Sequence, residues 1–322
     1  LVDGVIHHCE QMLKPKAEDK RIRYHITSNL TKMPSQQLRV ARKHRVSVLC
    51  DIDGPGEIHD LCRPFKDGRP SHAVTAGHVR QLVQEGVDVS LRATLTSLNQ
   101  DRLVDIALHH RELGGRGCGL VPVNPVNSDE ELLDARLLPD VDVLMEGLQE
   151  LYESGLWSSQ RLFPFSAYSH KVVPGNRAVL GCGAPYGNTP VVDADGDVYP
   201  CIYLVGMERF RLGNVLRGDF PNKALIQSMM ETLHVDHLDE CRSCAWRYVC
   251  GGGCPVLRLT VFSHPRLNDA VARYSRRINC DYTKKVLELL FWELADEASN
   301  LSRSATAEDP TVGLDPSQTV HC

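Results

Sequence analysis

The sequence predicts an α/β fold, with a parallel sheet in the first half followed by a small cysteine-rich domain. Two observations lead to this prediction. Short apolar, β-branched segments alternate with segments of helical periodicity through the first 125 residues, and seven of the twelve cysteines lie between Cys182 and Cys280. Strands separated by helices pair in parallel through right-handed crossovers, which gives a layered or a barrel architecture.

The first half contains four predicted strands and the helices between them. The strands are runs rich in Val, Ile and Leu, at Arg21–Ser28, Val46–Ile52, Val87–Leu95 and Cys118–Val123. The helices follow from 3.6-residue periodicity and from glycines at their ends, at Val2–Leu13, Ser35–His44, Ala73–Glu85 and Arg102–Leu113. Polar residues such as Asn29, Asp51 and Thr94 follow the strands. Parallel α/β folds place their functional face at the strand C-termini.

The second half has less regular structure. The sequence predicts a loop-rich connection over Trp157–Leu180, a hairpin over Val191–Tyr199 with an Asp195-Gly196 turn, and a helix from Tyr282 to about Ala298. The apolar face of that helix is expected to comprise Val286, Leu289, Leu290 and Leu294. The polar segment from Ser302 onward is expected to be disordered. The predicted domains are residues 1–156, residues 157–298 and a tail of residues 299–322.

Composition excludes several functional classes. The net charge is −5 and the arginines are scattered, so nucleic-acid binding is not expected. No apolar run reaches the roughly 18 residues of a membrane span, and no basic-then-apolar secretory start is present. Twelve cysteines without a secretion signal therefore indicate metal binding in a reducing compartment, which we expect to be the cytoplasm.

The spacing of the seven cysteines indicates a metal centre. Cys182 is followed by thirteen residues, Gly196, four residues and Cys201; then come Cys241-x2-Cys244-x5-Cys250-x3-Cys254 and finally Cys280. Thiolate is the soft ligand of both zinc and iron–sulfur clusters. Seven ligands are too many for one tetrahedral ion and one short of two four-thiolate sites. On spacing alone, iron–sulfur clusters are favoured, and zinc or unligated core cysteines stay open.

The pattern resembles the SPASM domain of radical S-adenosylmethionine (SAM) enzymes. That signature is a cysteine, nine to fifteen residues, G-x4-C, a gap, C-x2-C-x5-C-x3-C, a gap and a last cysteine, and all seven cysteine positions are met. Other segments also resemble the family: Val191–Cys201, Leu212-Gly213-Asn214, Cys250–Pro255, Thr27-Ser28-Asn29, Asp51–Pro55, Glu57–Asp60 and Arg63.

The resemblance implies a partial (β/α)6 radical SAM barrel, with strands three to six present, and a SPASM domain with two auxiliary 4Fe–4S clusters. It assigns the first cluster to the first cysteine set, Cys182, Cys201 and Cys254. It assigns the second cluster to the second cysteine set, Cys241, Cys244, Cys250 and Cys280. It also makes five residues candidates for lining the SAM site: Ser28, Asn29, Asp51, Arg63 and Arg92. Two simpler alternatives are an Arg63–Asp60 ion pair and an ordinary turn at Asp53-Gly54-Pro55.

The first cysteine set lacks one ligand of a complete cluster. Relatives with a fully ligated first cluster carry a further cysteine shortly after the first, whereas the stretch Gly183–Asn188 contains no thiol. One iron would therefore be open to water, to a substrate group or to Asn188.

Two departures from the family bear on activity. The catalytic C-x3-C-x2-C motif and the G-G-E-P motif are absent, and the resemblance places Leu1 just after the latter. We therefore expect the N-terminal part of the barrel to be missing and this chain alone not to cleave SAM; a degenerate relative is the other possibility. Ile202 stands where anaerobic sulfatase-maturating enzymes carry an aspartate base, which speaks against sulfatase maturation. No catalytic residue is predicted.

The function implied by the resemblance is maturation of a peptide or protein. A 5′-deoxyadenosyl radical would abstract hydrogen, and oxidation or cross-linking, such as thioether formation, would follow. The implied cofactors are SAM, its own cluster and the two auxiliary clusters. The implied partners are a peptide, a small peptide-presenting protein, and a reductant such as flavodoxin or ferredoxin. The alternatives are a non-catalytic peptide-binding SPASM module and a zinc-stabilised structural domain.

The remaining candidate ligands have simpler explanations. Cys9, Cys50, Cys62 and Cys118 lack ligand spacing, so they are predicted to be small apolar residues of the core. His109-His110 lies on a predicted helix, where neighbouring side chains point in different directions. Core or solvated histidines are expected there.

Overall fold

Strands and helices alternate along the first half of the chain, and the strands form one parallel sheet. The computed structural model describes residues 2–13, 22–126, 131–156, 161–172, 175–261 and 264–306. The sheet has five strands in chain order, β1 His25–Ser28, β2 Ser47–Asp51, β3 Val89–Leu95, β4 Gly117–Pro122 and β5 Arg161–Phe163. Every neighbouring pair is parallel. The predicted α/β fold with a parallel sheet is confirmed.

Six helices accompany the sheet: α1 Val2–Leu13, α2 Ser35–His44, α3 Gly56–Cys62, α4 His72–Gln84, α5 Leu103–Glu112 and α6 Val141–Glu153. Side chains alternate along β3, because successive residues of a strand point to opposite faces. Val89, Leu91, Ala93 and Leu95 are buried, whereas Ser90, Arg92 and Thr94 are half-buried. The less buried face lines a concave cavity of about 580 Å³ with Gly117, Gly119 and Phe163.

Two apolar clusters form the core around the sheet. One contains residues of β2 and β3 with Ile6 of α1, Ala41 of α2 and Val79 of α4. The other contains residues of β3, β4 and β5 with Ile106 of α5 and Leu144 of α6. Burial of one such leucine or isoleucine side chain stabilises the fold by roughly 1.5–3 kcal/mol. By packing against the strands, these two apolar clusters fix the position of the edge at which the strands end.

Three elements of the sheet region were not predicted. The predicted loop-rich connection Trp157–Leu180 contains β5 and a short helix, α7 Phe165–Tyr168, while residues 157–160 lie outside the described residues. β5 has three residues, of which Leu162 alone is buried, so no alternation is long enough to indicate a strand. Helix α3 begins directly after the Asp53-Gly54-Pro55 turn, with Pro55 at its N-cap.

The cysteine-rich half is built from short elements. A three-stranded antiparallel sheet contains β6 Val191–Val192, β7 Asp197–Tyr199 and β8 Gly213–Asn214. The predicted hairpin is confirmed, and Gly196 has φ +83° at its turn. Helices follow at α8 Lys223–Leu233, α9 Asp239–Arg242, α10 Arg247–Cys250, α11 Asp269–Arg277 and α12 Thr283–Thr306. Two π-helical turns lie at Leu257–Val261 and Ile278–Tyr282. The 3₁₀ turns are Ala135–Leu137, Ala184–Tyr186, Ile202–Leu204 and Glu208–Phe210.

The C-terminal helices return to the sheet. Val286, Leu289 and Leu290 of α12 are buried in the same cluster as β3–β5, as predicted, whereas Leu294 is 39% exposed. Arg277 of α11 forms an ion pair with Asp142 of α6 at 2.5 Å. Helix α12 continues to Thr306, past the predicted boundary at residue 298, and residues 307–322 lie outside the described residues. Among the described helices, none has the length and apolar character that crossing a membrane requires.

Candidate functional site

The C-terminal edge of the sheet carries an ion pair between neighbouring strands. Asp51 ends β2, and its register partner in β3 is Arg92. The Arg92 guanidinium donates from Nε to Asp51 Oδ1 at 2.7 Å and from its terminal nitrogen to Asp51 Oδ2 at 3.1 Å. This two-point contact fixes both side chains in the plane of the guanidinium. Two of the candidate SAM-site residues are therefore held together at the edge.

Arg63, which follows α3, joins the same network. Its Nε donates to Asp53 Oδ2 at 2.5 Å and a terminal nitrogen donates to Thr94 Oγ1 at 3.1 Å, while Asp51 Oδ2 lies 3.8 Å away. Burial raises the pKa of Asp53, although Arg63 opposes the rise. The alternative Arg63–Asp60 pair does not form. Asp60 instead accepts hydrogen bonds from the backbone N–H groups at the start of α4, a position where helices favour a carboxylate.

Ser28 and Asn29 end β1, beside the network, and their hydrogen bonds are local. Ser28 Oγ accepts from the Leu30 N–H at 3.2 Å, and Asn29 Oδ1 accepts from the Thr31 N–H at 3.3 Å. Leu30 has φ +51°, a conformation that costs a leucine about 1–2 kcal/mol. Glycine would adopt this conformation without that cost. The structure thus brings Asp51, Arg63 and Arg92 into contact and places Ser28 and Asn29 one strand away.

Sequence reasoning missed two residues that brace this edge. Asn99 is fully buried, and its amide donates to the backbone oxygens of Asp53 at 3.3 Å and Thr94 at 3.1 Å. His59 Nδ1 accepts from the Asp53 N–H at 3.2 Å. Burial lowers the pKa of His59 to about 4, which keeps its ring neutral. In the sequence, Asn99 is part of an ordinary turn pattern, so nothing there indicated its role.

Glycines bring the first cysteine set together. Gly251, Gly252 and Gly253 all have positive φ, between +72° and +85°. A Cβ at Gly181 would collide with the Gly253 carbonyl oxygen, and one at Gly251 with the Leu180 carbonyl oxygen. The two backbone segments therefore cross in direct contact. This crossing places Cys182 next to the segment that joins Cys250 to Cys254.

The thiols of the first cysteine set are close enough to affect one another. Burial raises the pKa of Cys254, and the neighbouring Cys182 and Cys201 raise it further. Burial likewise raises the pKa of Cys201, and Cys182 adds to the effect. Cys254 is nevertheless solvent-exposed, as is Cys182. A thiol that is both accessible and surrounded by protein lines a concave surface.

The second cysteine set gathers around α9, α10 and the π-helical turn Ile278–Tyr282. Burial raises the pKa of Cys241, and Cys280 and Cys250 are among the groups that raise it further. Burial also raises the pKa of Cys250, with a contribution from Cys280. Cys244 is tied to this group through its N–H, which donates to the Cys241 oxygen at 3.0 Å. The division of the seven cysteines into two ligand sets stays a prediction.

The donor set fits iron–sulfur clusters in its chemistry. All seven cysteines are free thiols, and glycine backbone without side chains lies beside both sets. In the described part of the chain, no three His, Cys, Asp or Glu side chains converge closely enough to hold a metal ion. The cluster-ligand assignment therefore stays a prediction.

Tyr203 lies near both the sheet edge and the first cysteine set. Burial raises its pKa; Arg92 opposes the rise, whereas Cys254, Cys201 and Asp51 add to it. Its neighbour Ile202 is 63% exposed. Sequence reasoning did not single out Tyr203.

Comparisons with known proteins place this geometry among characterised enzymes. No family model matches the chain. A cysteine-type anaerobic sulfatase-maturating enzyme of Clostridium perfringens is 22% identical over 303 residues, which cover 91% of this chain and 78% of that protein. Native anSMEcpe with bound AdoMet and a peptide superposes with a TM-score of 0.67 at 20% identity, covering 92% of this chain and 81% of the other. Streptococcus suis SuiB bound to the precursor peptide SuiA superposes with a TM-score of 0.57 at 15% identity, covering 84% and 61%.

These similarities extend over both the sheet and the cysteine-rich half. The curated relative is a sulfatase-maturating enzyme, and the structural neighbours share the fold. The predicted resemblance is confirmed: over most of its length this chain is similar to the anaerobic sulfatase-maturating enzymes, which are radical SAM/SPASM maturases.

Proposed function

We propose that the protein acts as a radical SAM/SPASM maturase of a peptide or protein. The observation that carries the proposal is the Asp51–Arg63–Arg92 network at the sheet edge, in a chain that is similar in sequence and fold to anaerobic sulfatase-maturating enzymes over more than nine-tenths of its length. The names of the relatives support it, because they are maturating enzymes, and two structural neighbours were solved with peptides.

When bound, SAM and its reduced cluster supply the 5′-deoxyadenosyl radical, and the auxiliary clusters supply electron acceptors. In this proposal, the residues of the chain bind and orient SAM and the auxiliary clusters. Asp51, Arg63 and Arg92 line the SAM site, with Ser28 and Asn29 beside them. The first cysteine set holds a cluster with one open iron near Asn188, whose backbone N–H donates to the Gly183 oxygen at 3.1 Å. The second cysteine set holds a fully ligated cluster.

The exposed Ile202 bears on the choice of substrate. An isoleucine cannot accept a proton, so the base that the sulfatase maturases carry at this position is missing. We infer that the substrate is a ribosomally made peptide, in which a side-chain carbon is oxidised or cross-linked, as in thioether formation. A small peptide-presenting partner and a flavodoxin- or ferredoxin-type reductant would serve this reaction in the cytoplasm.

Metal analysis of anaerobically purified protein tests the cofactor assignment. Two 4Fe–4S clusters require about eight irons and eight sulfides per chain. A zinc-stabilised domain would be colourless and contain zinc instead. Zinc as the only bound metal would overturn the proposal.

Cleavage of SAM separates an enzyme from a binding module. This chain carries no C-x3-C-x2-C motif, so we expect no 5′-deoxyadenosine from it with dithionite and SAM. A longer protein in which such a motif precedes the chain should produce 5′-deoxyadenosine, and the Arg92→Met variant should produce less. Absence of the product from the longer protein would favour the non-catalytic peptide-binding module.

A further inference from the structure

Lys171 lies where the two cysteine sets meet. It follows α7, and its Nζ donates a hydrogen bond to the Gly181 carbonyl oxygen at 2.7 Å. Nζ also lies 5.1 Å from the centre of the Tyr168 ring. Gly181 directly precedes Cys182, so the ammonium group is fixed beside the first ligand of the first cysteine set.

The backbone crossing brings the same ammonium group close to the second cysteine set. Gly181 packs against Gly251 and Gly253, in the segment that runs from Cys250 of the second set to Cys254 of the first. Burial lowers the pKa of Lys171, and the thiols of Cys250 and Cys182 oppose that shift. Tyr168 lies near the same thiols. Burial raises its pKa to about 12, and Cys250, Cys254 and Cys182 contribute to the rise.

No carboxylate of the described residues lies within ion-pair distance of the Lys171 ammonium group. Two further cations lie near thiols of the second set. Arg258 has a terminal nitrogen 3.8 Å from Cys241 Sγ, and Lys284 opposes the rise that burial causes in the pKa of Cys280. The charge of Arg258 is offset by an ion pair with Glu240 at 2.7 Å, and its Nε donates to the Gly252 carbonyl oxygen at 2.8 Å. Lys171 contributes a positive charge that both sets share.

We propose that Lys171 sets the reduction potentials of both auxiliary clusters, as one positive charge placed between them. The proposal rests on the proposed function, because it needs the clusters to be present. Reduction adds negative charge to a cluster, so a nearby cation stabilises the reduced state and raises the potential. Both clusters would then more readily accept the electron that the substrate loses when it is oxidised.

Charge and hydrogen bonding can be separated by substitution at Lys171. Lys171→Gln keeps an N–H donor but removes the charge, Lys171→Met removes both, and Lys171→Arg keeps both. Lys66→Met is a matched control, because Lys66 is exposed and belongs to the sheet region. The cluster-loaded full chain is titrated electrochemically under anaerobic conditions, and the electron paramagnetic resonance signal of each reduced cluster is followed. Iron and sulfide are counted in parallel.

We expect Lys171→Gln and Lys171→Met to move both midpoint potentials to lower values at unchanged iron content, whereas Lys171→Arg and Lys66→Met stay at the wild-type values. Unchanged potentials in Lys171→Gln, or a shift in Lys171→Met alone, would overturn the proposal. Loss of iron in both Lys171→Gln and Lys171→Arg would show that the amine only holds the Gly181 carbonyl, and would overturn it as well. Wild-type protein without clusters would refute the proposed function instead.

Discussion

Strand β3 pairs with its two neighbours over four and six residues, whereas the strands of the cysteine-rich half pair over two. The sheet region, residues 22–156, is held by long hydrogen-bonded ladders and two large apolar clusters. The cysteine-rich region, residues 175–282, is held by turns, positive-φ glycines and smaller clusters. The paired strands therefore hold the charged network at the sheet edge in place without a bound group. The positions of the thiols in the two cysteine sets depend more on the metal that they are proposed to bind.

The largest expected effect is loss of a whole cluster. Cys254→Ser replaces a soft thiolate of the first cysteine set by a hydroxyl, and we expect a loss of at least about four irons per chain. Amides near the backbone crossing should then exchange hydrogen faster, while those of β2–β4 stay protected. Iron analysis and hydrogen exchange measured by mass spectrometry check both parts.

Cys62→Ser is the matched control, because Cys62 is a half-buried free thiol outside both sets. Its iron content should equal that of the wild type. Equal iron loss in the two variants would mean that the difference between the regions does not arise from metal binding.

Shortening a side chain in the apolar core of the sheet region should lower the stability of the fold and leave the iron content unchanged. Leu95 is fully buried at the end of β3, and Leu95→Ala is expected to lower the free energy of unfolding by about 3 kcal/mol. Leu95 shares its apolar cluster with Tyr274 and Tyr282 of the cysteine-rich region, but that cluster contains none of the seven cysteines, so iron content should not change. Urea unfolding followed by circular dichroism, together with iron analysis, measures both. Loss of iron at Leu95→Ala would show that the two regions fold as one unit.

Acid should weaken the sheet region through its buried histidines. Burial lowers the pKa values of His59 and His110 to about 4, against about 6.5 in an unfolded chain. The unfolded chain therefore binds protons that the fold excludes. Stability is complete above about pH 6.5 and falls as the pH drops toward 4, by up to about 2 kcal/mol per histidine at pH 5.

His110→Gln should remove its share of this pH dependence. His110 is fully buried, with Nε2 2.7 Å from the Ile52 oxygen, so the variant is less stable at pH 7 but loses less between pH 7 and pH 5. Urea midpoints at the two pH values provide the measurement. An equal fall in the urea midpoint between pH 7 and pH 5 in the variant and the wild type would contradict the assignment of this pH dependence to His110.

The smallest effect tests backbone strain within the sheet region. Arg45 caps α2 with φ +52° and is exposed, so Arg45→Gly is expected to stabilise the fold by about 0.5–1 kcal/mol. Leu30 has φ +51° but is only 4% exposed. Leu30→Gly should destabilise, because the lost burial exceeds the relieved strain. Thermal midpoints of the two variants should therefore move in opposite directions.

Much of this architecture could be predicted from the sequence, because the signals were local. Apolar runs located β1–β4. The division of the cysteines into two sets came from the resemblance and stays a prediction. β5 could not be predicted, since its three residues carry no period. Asn99 and Lys171 could not be predicted either. Their roles come from contacts with Asp53 and Gly181, which local patterns do not encode.

The glycine crossing also constrains how the protein matures. Cys250 and Cys254 belong to different sets, yet only Gly251, Gly252 and Gly253 separate them, and that triplet is pinned by the Leu180–Gly181 backbone. A cluster bound to either cysteine set would therefore immobilise one end of the other set. We therefore expect insertion of the two clusters to be cooperative, so that half-loaded intermediates are scarce during biogenesis.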